Sequence, residues 1–369
     1  MSLLTRGNAA LRFHRPQSYN LSVLQHPSVR YQALFSTSAR HANRKSTTTT
    51  TSPSNPTTTV PTPTRDEINA PLSTFPATIE TPPQDPSTPP TPINKIKRLI
   101  STGRAYLTFY KTGLKNVFRN YRASIPLRKS LSLPVYLPTS PPRNGNGNST
   151  NASANLGRAQ YQLVRRSARD VRRMIPFTLI LLICGEFTPL IIPLFGAAIT
   201  PATCRVPSQI AKERESASKR KYLALAAHAN IAAKEQGAMP ASVSVGSAEE
   251  MALLATRFAG AEFAVKAGGS EVLVAGAVFG IVGSHRPRLG GLLMGPVYRP
   301  RLRKYVRYLE IDDGMIREGG GVRALSSQEV RFALEERGLG DVGSVLRKGG
   351  VVEDVERRAL EMWLEARKG

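Results

Sequence analysis

The sequence predicts an all-α protein with a single transmembrane helix, a helical C-terminal domain and a disordered N-terminal third. A nearly continuous apolar run begins at Met174 and ends at Ile199, and Glu186 is its one formal charge. On both sides of this run, apolar side chains recur at three- and four-residue steps, the spacing of one helical face. Residues 41–92 are rich in Ser, Thr and Pro, and such a composition buries too little apolar surface to become ordered.

The first 65 residues contain no Asp or Glu and carry basic side chains among Ser, Thr and small apolar residues. This composition is typical of an amphipathic mitochondrial presequence, and no apolar core of a secretory signal is present. We expect residues 1–40 to be the presequence, with cleavage at about residues 31–42. An ordinary disordered tail is the alternative.

Residues 93–125 are predicted to form a basic amphipathic helix. Apolar side chains recur there at three- and four-residue steps, with basic side chains between them and no acidic residue. Two interpretations stay open. The helix lies at the interface of an anionic bilayer, or it packs against another protein helix and exposes its basic face. Residues 126–157 are predicted to be a flexible linker, and residues 158–173 a second basic helix that leads into the apolar run.

The apolar run, residues 174–199, is 26 residues long. As a straight helix it measures about 39 Å, whereas a bilayer core of about 30 Å needs only about 20 residues. We therefore predict one tilted membrane crossing, with a buried core helix as the alternative. Within 20 residues of the run, six basic side chains precede it and four follow it, which slightly favours a matrix location for the N-terminal flank.

Three residues inside the run are candidates for a function within the membrane: Glu186, Pro189 and Pro193. A carboxyl group near the bilayer centre costs about 3 kcal/mol on insertion scales, so it marks a functional site or a buried partner. The prolines leave the carbonyls of Gly185 and Pro189 without helical donors, and such oxygens suit an alkali cation. Alternatively, a neutral Glu186 donates a hydrogen bond to one of them. Transport by a single span also requires a homo-oligomer or a partner channel.

Residues 205–369 are predicted to fold into a helical domain. Ser247 and Ser326 each stand three residues before a glutamate, the spacing of a capping box that opens a helix. Gly338 marks the position where the second of these helices should end. A last helix is expected at about residues 352–367, since apolar side chains share one face there.

The sequence offers little support for an enzyme. His228 and His285 are far apart, and no metalloprotease, serine-hydrolase or paired-cysteine metal motif is present. Cys184 and Cys204 are the two cysteines, too few for a disulfide framework or a cysteine zinc site. We expect no catalytic residue, cofactor, metal site or small-molecule substrate.

Two separated blocks carry a family resemblance. The first is YQLVRRSARDVRRMIPF with the apolar run after it, and the second is LRKYVRYLEIDDGMIREGGGVRALSSQEVRFALEERGLG. Together they resemble the ribosome-binding domain of the leucine-zipper, EF-hand-containing transmembrane (LETM) proteins of the mitochondrial inner membrane. The matching positions are Arg169-Asp170, Pro176-Phe177, Asp312, Asp313, Ile316, Leu325, Glu329 and Arg337-Gly338. Residues 95–122 resemble the helix that opens that domain.

The resemblance implies a matrix-facing C-terminal domain, contact with the mitochondrial ribosome and a role in potassium/proton balance. It outweighs the small charge difference between the two flanks of the run. The family's coiled coils and EF-hand have no counterpart up to Gly369, and Asp312-Asp313-Gly314 lacks the ligand spacing of a calcium loop, so it is predicted to be a turn. Calcium sensing is therefore not expected.

A strongly basic strip supplies the candidate contacts to ribosomal RNA. It comprises Arg286, Arg288, Arg299, Arg301, Arg303, Lys304 and Arg307, with tyrosines interleaved. Neutralising phosphates gives affinity for RNA, and tyrosine and arginine planes add stacking on exposed bases. The alternative is a solvated helix face whose arginines pair with Glu310 and its neighbours. A second hypothesis makes the protein a structural organiser of the inner membrane, acting on anionic lipid through its basic amphipathic helix and through homo-oligomer formation.

Overall fold

The computed structural model describes residues 68–79, 92–131, 133, 156–184, 200–236, 243–286, 291–345 and 351–368. These ranges contain helices and no strand, so the predicted all-α class is confirmed for them. The α-helices are α1 (Pro92–Ser130), α2 (Arg158–Cys184), α3 (Pro207–Gln236), α4 (Ala248–Ala252), α5 (Ala261–Lys266), α6 (Gly269–Val278), α7 (Arg299–Glu318), α8 (Ser327–Glu336), α9 (Val342–Val345) and α10 (Val352–Ala366). Shorter 3-10 turns are Leu72–Thr74, Ala202–Cys204 and Val322–Ala324, and π-helical turns are Leu253–Phe258 and Met294–Tyr298.

The main hydrophobic core lies among α3 to α10, as expected for a helical C-terminal domain. Trp363, Leu309 and Leu254 are fully buried at its centre. The predicted helix starts are confirmed, because Ser247 Oγ accepts the backbone N–H of Glu250 and Ser326 Oγ caps α8 in the same way. Each cap satisfies a backbone donor that the helix itself leaves free.

Gly338 follows α8 with a φ of +75°, a left-handed conformation that favours glycine. A side chain there would also meet Val278, since a Cβ would lie 3.0 Å from its Cγ1. The predicted end of this helix is therefore confirmed. By contrast, Asp312-Asp313-Gly314 is not a turn but lies within α7, where both aspartates are buried.

Helices α1 and α2 form an antiparallel pair beside this domain. Leu127 near the end of α1 packs against Leu163 near the start of α2, while Phe109 packs against Phe177 further along. α1 is longer than the predicted 93–125 and passes through Pro126.

Helix α2 contains the basic residues 158–173, enters the apolar run at Met174 and continues at least to Cys184. The basic helix thus leads into the run, as the sequence predicts. In the part of the chain that the structure describes, no helix combines the length and the apolar character needed to cross a membrane. Residues 185–199, with Glu186, Pro189 and Pro193, lie outside the described ranges.

Residues 68–79 pack onto the folded domain, so the prediction of a disordered linker over residues 41–92 is wrong for this part. Ile68 is buried in the main core. The Asn69 amide donates to the Ala324 carbonyl at 2.9 Å, and its oxygen accepts the Ser326 N–H at 2.8 Å. A few specific contacts thus order a segment whose average composition is that of a linker.

Candidate functional site

Helix α2 is fixed to the C-terminal domain by buried ion pairs. Arg158 and Arg166 both bind Glu329 of α8, whose side chain is fully buried, with N–O distances of 2.8 to 2.9 Å. Removing a carboxylate from water is costly, and two guanidinium partners on both of its oxygens offset that cost. These arginines are therefore internal structure and not surface charge.

Asp312 of α7 is the second centre of this network. It accepts hydrogen bonds from Arg158 at 2.8 Å, Gln162 at 2.7 Å and Arg337 at 2.9 Å. Burial alone would raise the pKa of Asp312, but Arg158 and Arg337 outweigh it and hold that pKa well below its ordinary value. The carboxylate therefore stays charged at neutral pH.

The network extends to both sides of Asp312. Asp313 binds Arg337, accepts a hydrogen bond from the Trp363 indole at 3.2 Å and forms an ion pair with Arg367 at 2.9 Å. On the other side, Glu336 binds Arg165 and Arg169 of α2 and the Tyr308 hydroxyl. Many residues that carry the family resemblance thus lie in this buried network, far from one another in sequence.

The structure gives different environments to the predicted RNA-contact residues. Arg301, Arg303 and Lys304 are exposed on α7, and none of them forms an ion pair within the described ranges. Arg299 donates instead to the carbonyls that end α5, at Val265 and at Ala267, so it is a structural side chain.

Arg307 is half-buried and pairs with Glu310 at 3.2 Å, which is the alternative that the sequence left open for it. Arg286 is exposed, but it lies outside α7. Arg288 falls outside the described ranges. The available basic surface on α7 therefore reduces to Arg301, Arg303 and Lys304, which we call the α7 triad.

Helix α1 offers a second candidate surface. Its inner face, with Phe109, Tyr110 and Val117, is buried. Its outer faces combine exposed apolar and exposed basic side chains. The apolar ones are Ile96, Leu99, Ile100, Leu107 and Phe118, each between 53% and 73% exposed. The basic ones are Lys97, Arg104, Lys111, Lys115, Arg119, Arg122 and Lys129.

Of the two interpretations of the basic helix, the structure supports packing against another helix for the inner face of α1, and the membrane interface stays a prediction for its outer faces. The helix packs against α2 on one side, and on the other it has the combination that suits an anionic membrane interface. Sequence periodicity alone did not separate these faces, because apolar residues occur on both.

The chain returns to α2 directly after the apolar run. The N–H of Ala202 donates to Asp170 Oδ1 at 2.8 Å, and Cys204 and Val206 are buried against Phe177. Burial raises the pKa of Asp170, although this hydrogen bond and nearby arginines oppose the shift. Sequence reasoning missed this contact. A signal was present, since Asp170 is the first acidic residue after Asp85 and stands among arginines.

The described residues include no cluster of three His, Cys, Asp or Glu side chains that could hold a metal ion. Comparison with protein-family models, curated proteins and solved structures finds no match to this chain. The functional interpretation therefore depends on the geometry of the buried network, the α7 triad, α1 and the return of the chain at residue 202.

Proposed function

We propose that this chain is a non-enzymatic, membrane-attached protein of the mitochondrial inner membrane that binds the mitochondrial ribosome through its C-terminal domain in the matrix. The observation that carries the proposal is the α7 triad, three exposed cations on a rigid helix with no acidic partner among the described residues. Unpaired cations at fixed spacing are what a phosphate-rich RNA surface binds.

The buried network supports the same proposal. The two sequence blocks that resemble the LETM proteins include α2 on one side and α7 and α8 on the other, and the network joins them into one unit. A shared internal framework is a reason to treat the blocks as parts of one domain. The buried network also holds α7 in a fixed position, so the α7 triad lies on a firmly supported helix.

The test is co-sedimentation of the full chain, in mild detergent, with purified mitochondrial ribosomes at increasing salt. The variant Arg301→Glu/Arg303→Glu/Lys304→Glu should bind weakly at every salt concentration. If three phosphate contacts are lost, the slope of log K against log salt should decrease by about 2 to 3. Circular dichroism should show unchanged helix content, because these side chains are exposed and form no ion pair within the described ranges.

The matched control carries the same change of charge elsewhere: Lys212→Glu/Arg323→Glu/Arg358→Glu, three exposed residues on other elements. It should bind like the wild type. Equal loss of binding in both variants would mean that only net charge matters, and binding unaffected by the triad variant would refute the assignment of the site.

The potassium/proton role remains part of the proposal and depends on Glu186, with Pro189 and Pro193 beside it. Glu186→Gln keeps the size of the side chain but cannot exchange a proton. Potassium-driven swelling of mitochondria should therefore decrease in this variant. Equal swelling in variant and wild type would remove Glu186 from the exchange.

The second candidate function is that of an inner-membrane organiser, and the outer faces of α1 favour it. Lys97→Glu/Arg104→Glu/Lys111→Glu should weaken flotation with anionic liposomes and leave ribosome binding intact. These point changes are preferable to deleting residues 95–122, since Phe109 and Val117 of that segment are buried in the fold. Size-exclusion chromatography with light scattering tests the proposed homo-oligomer.

A further inference from the structure

The residues that flank the apolar run contact each other in the folded protein. Asp170, just before the run, accepts the N–H of Ala202, just after it, at 2.8 Å. Met174 and Phe177, at the start of the run, share a buried cluster with Cys204 beyond its end. The cluster also includes aromatic residues of α1, so the contact is part of a packed core.

This contact is incompatible with a straight crossing. A helix over all 26 residues of the run would separate its ends by about 39 Å. Asp170 and Ala202, which flank the run on its two sides, are instead joined by one hydrogen bond of 2.8 Å.

The surface of α2 beyond Met174 is suited to lipid. Its outward side chains are strongly exposed and apolar: Ile175, Leu179, Leu182 and Ile183, between 56% and 81% exposed. Arg172, one turn before them, is exposed and basic. An apolar surface bounded by cations fits acyl chains next to anionic headgroups.

The charges on both flanks point to one side of the membrane. Exposed basic side chains lie on both flanks of the run: Arg172 precedes it, and Lys212 and Lys219 follow it. Basic flanks stay on the side from which a segment inserts. A single crossing would have to move one of these two cationic flanks across the membrane, whereas a return to the entry side moves neither.

We propose that the two flanks of the apolar run lie on the same side of the inner membrane, so that Arg173 and Thr200 both face the matrix. This inference rests on the proposed membrane attachment, and it replaces the single crossing that the sequence predicts.

Labelling of paired cysteines in sealed liposomes tests this topology. The full chain would carry Cys184→Ser together with Arg172→Cys and Ser208→Cys, two exposed positions on the two flanks. Cys204 is kept, because burial raises the pKa of its thiol to about 12 and makes it unreactive. A membrane-impermeant maleimide is added, and mass spectrometry counts the labels on each molecule.

If both flanks lie on one side, each molecule acquires two labels or none, whatever its orientation in the liposome. If the run crosses the membrane, each molecule acquires one label, and the inference is overturned. In detergent every molecule should acquire two. The parent with Cys204 as its only cysteine should acquire none, which checks that the flank remains packed.

A distance measurement provides an independent check on the same two positions. The distance between spin labels at residues 172 and 208 should be much shorter than the length of a straight crossing, which is about 39 Å. Flotation with liposomes is measured first. Protein that does not float contradicts the proposed membrane attachment and the inference together, whereas protein that floats and acquires one label contradicts the inference alone.

Discussion

Glu329→Gln is the substitution that should most clearly reveal what holds α2 to the C-terminal domain. The glutamate side chain is fully buried and binds Arg158 and Arg166 through three N–O contacts of 2.8 to 2.9 Å. Glutamine has the same shape but no charge, and its NH2 group would face a guanidinium donor. Arg158 would keep Asp312, whereas the described contacts left to Arg166, besides the glutamine oxygen, are Thr74 and the rings of Phe75 and Phe332.

Removing one partner of a buried ion pair costs about 3 to 5 kcal/mol, because the remaining charge is left in a dry environment. With a urea dependence of about 2 to 3 kcal/mol per M, the unfolding midpoint should decrease by about 1 to 2.5 M. The assay is urea unfolding of the full chain in mild detergent, followed by circular dichroism.

The control is Glu262→Gln, the same chemical change in an exposed pair with Lys266, where side-chain exposures are 86% and 74%. Such a pair contributes less than about 1 kcal/mol. Equal midpoint shifts for both variants would refute the argument. Adding Arg166→Met to Glu329→Gln should recover part of the loss, since the stranded cation is then replaced by an apolar side chain of similar length.

Three further predictions concern stability and use the same urea assay. Gly113→Ala should destabilise by about 1 to 3 kcal/mol, because a Cβ there would lie 2.7 Å from Cys204 Sγ and 2.9 Å from a backbone oxygen. Gly103→Ala, in the same helix with nothing within 4 Å, should instead stabilise by up to about 1 kcal/mol. Asp170→Asn should be neutral or stabilising at neutral pH, because burial raises the pKa of this carboxyl and its charge therefore costs stability there. Asp170→Ala should instead destabilise the fold, because it leaves the Ala202 N–H unpaired. The free energy of unfolding should fall as pH is lowered below about 4. The pKa of Asp312 is depressed in the folded protein, so this carboxyl binds a proton in the unfolded chain first. A free energy of unfolding that stays constant between pH 6 and 3 would contradict this.

Helix positions followed well from local sequence because their causes are local. Ser247 and Ser326 cap helices as their spacing predicts. Both signals depend on residues within a few positions of each other. The C-terminal helix, expected over residues 352–367 and observed at Val352–Ala366, has the same local basis.

The buried network could not be predicted in the same way. Arg158 and Asp312 are 154 positions apart, and each looks like an ordinary surface charge in its own segment. A single sequence gives no information on which of many arginines will pair with which carboxylate. The contact of Asp170 with Ala202 was missed for a different reason: the apolar run was interpreted as a single membrane crossing, and a crossing places its two ends far apart.

The direction of α7 bears on what the α7 triad touches. Along their contact, α7 runs antiparallel to α2, because Arg158 binds Asp312 while Arg165 lies over the ring of Tyr308, one turn earlier in α7. The start of α7, with the triad, therefore points toward the end of α2 that carries the apolar run. A ribosome bound there would be held directly against the membrane surface.

Under the proposed membrane attachment, the same direction would place the triad near lipid headgroups, so experiment must distinguish binding to RNA from binding to lipid. The triad variant Arg301→Glu/Arg303→Glu/Lys304→Glu should lose ribosome binding but still float with anionic liposomes, since α1 and the apolar end of α2 remain unchanged. Ribosome binding is measured by co-sedimentation and membrane binding by flotation at equal salt, because both interactions are screened by ions. If the variant keeps ribosomes and loses flotation, the triad contacts headgroups instead, and the ribosome site must lie elsewhere on the domain.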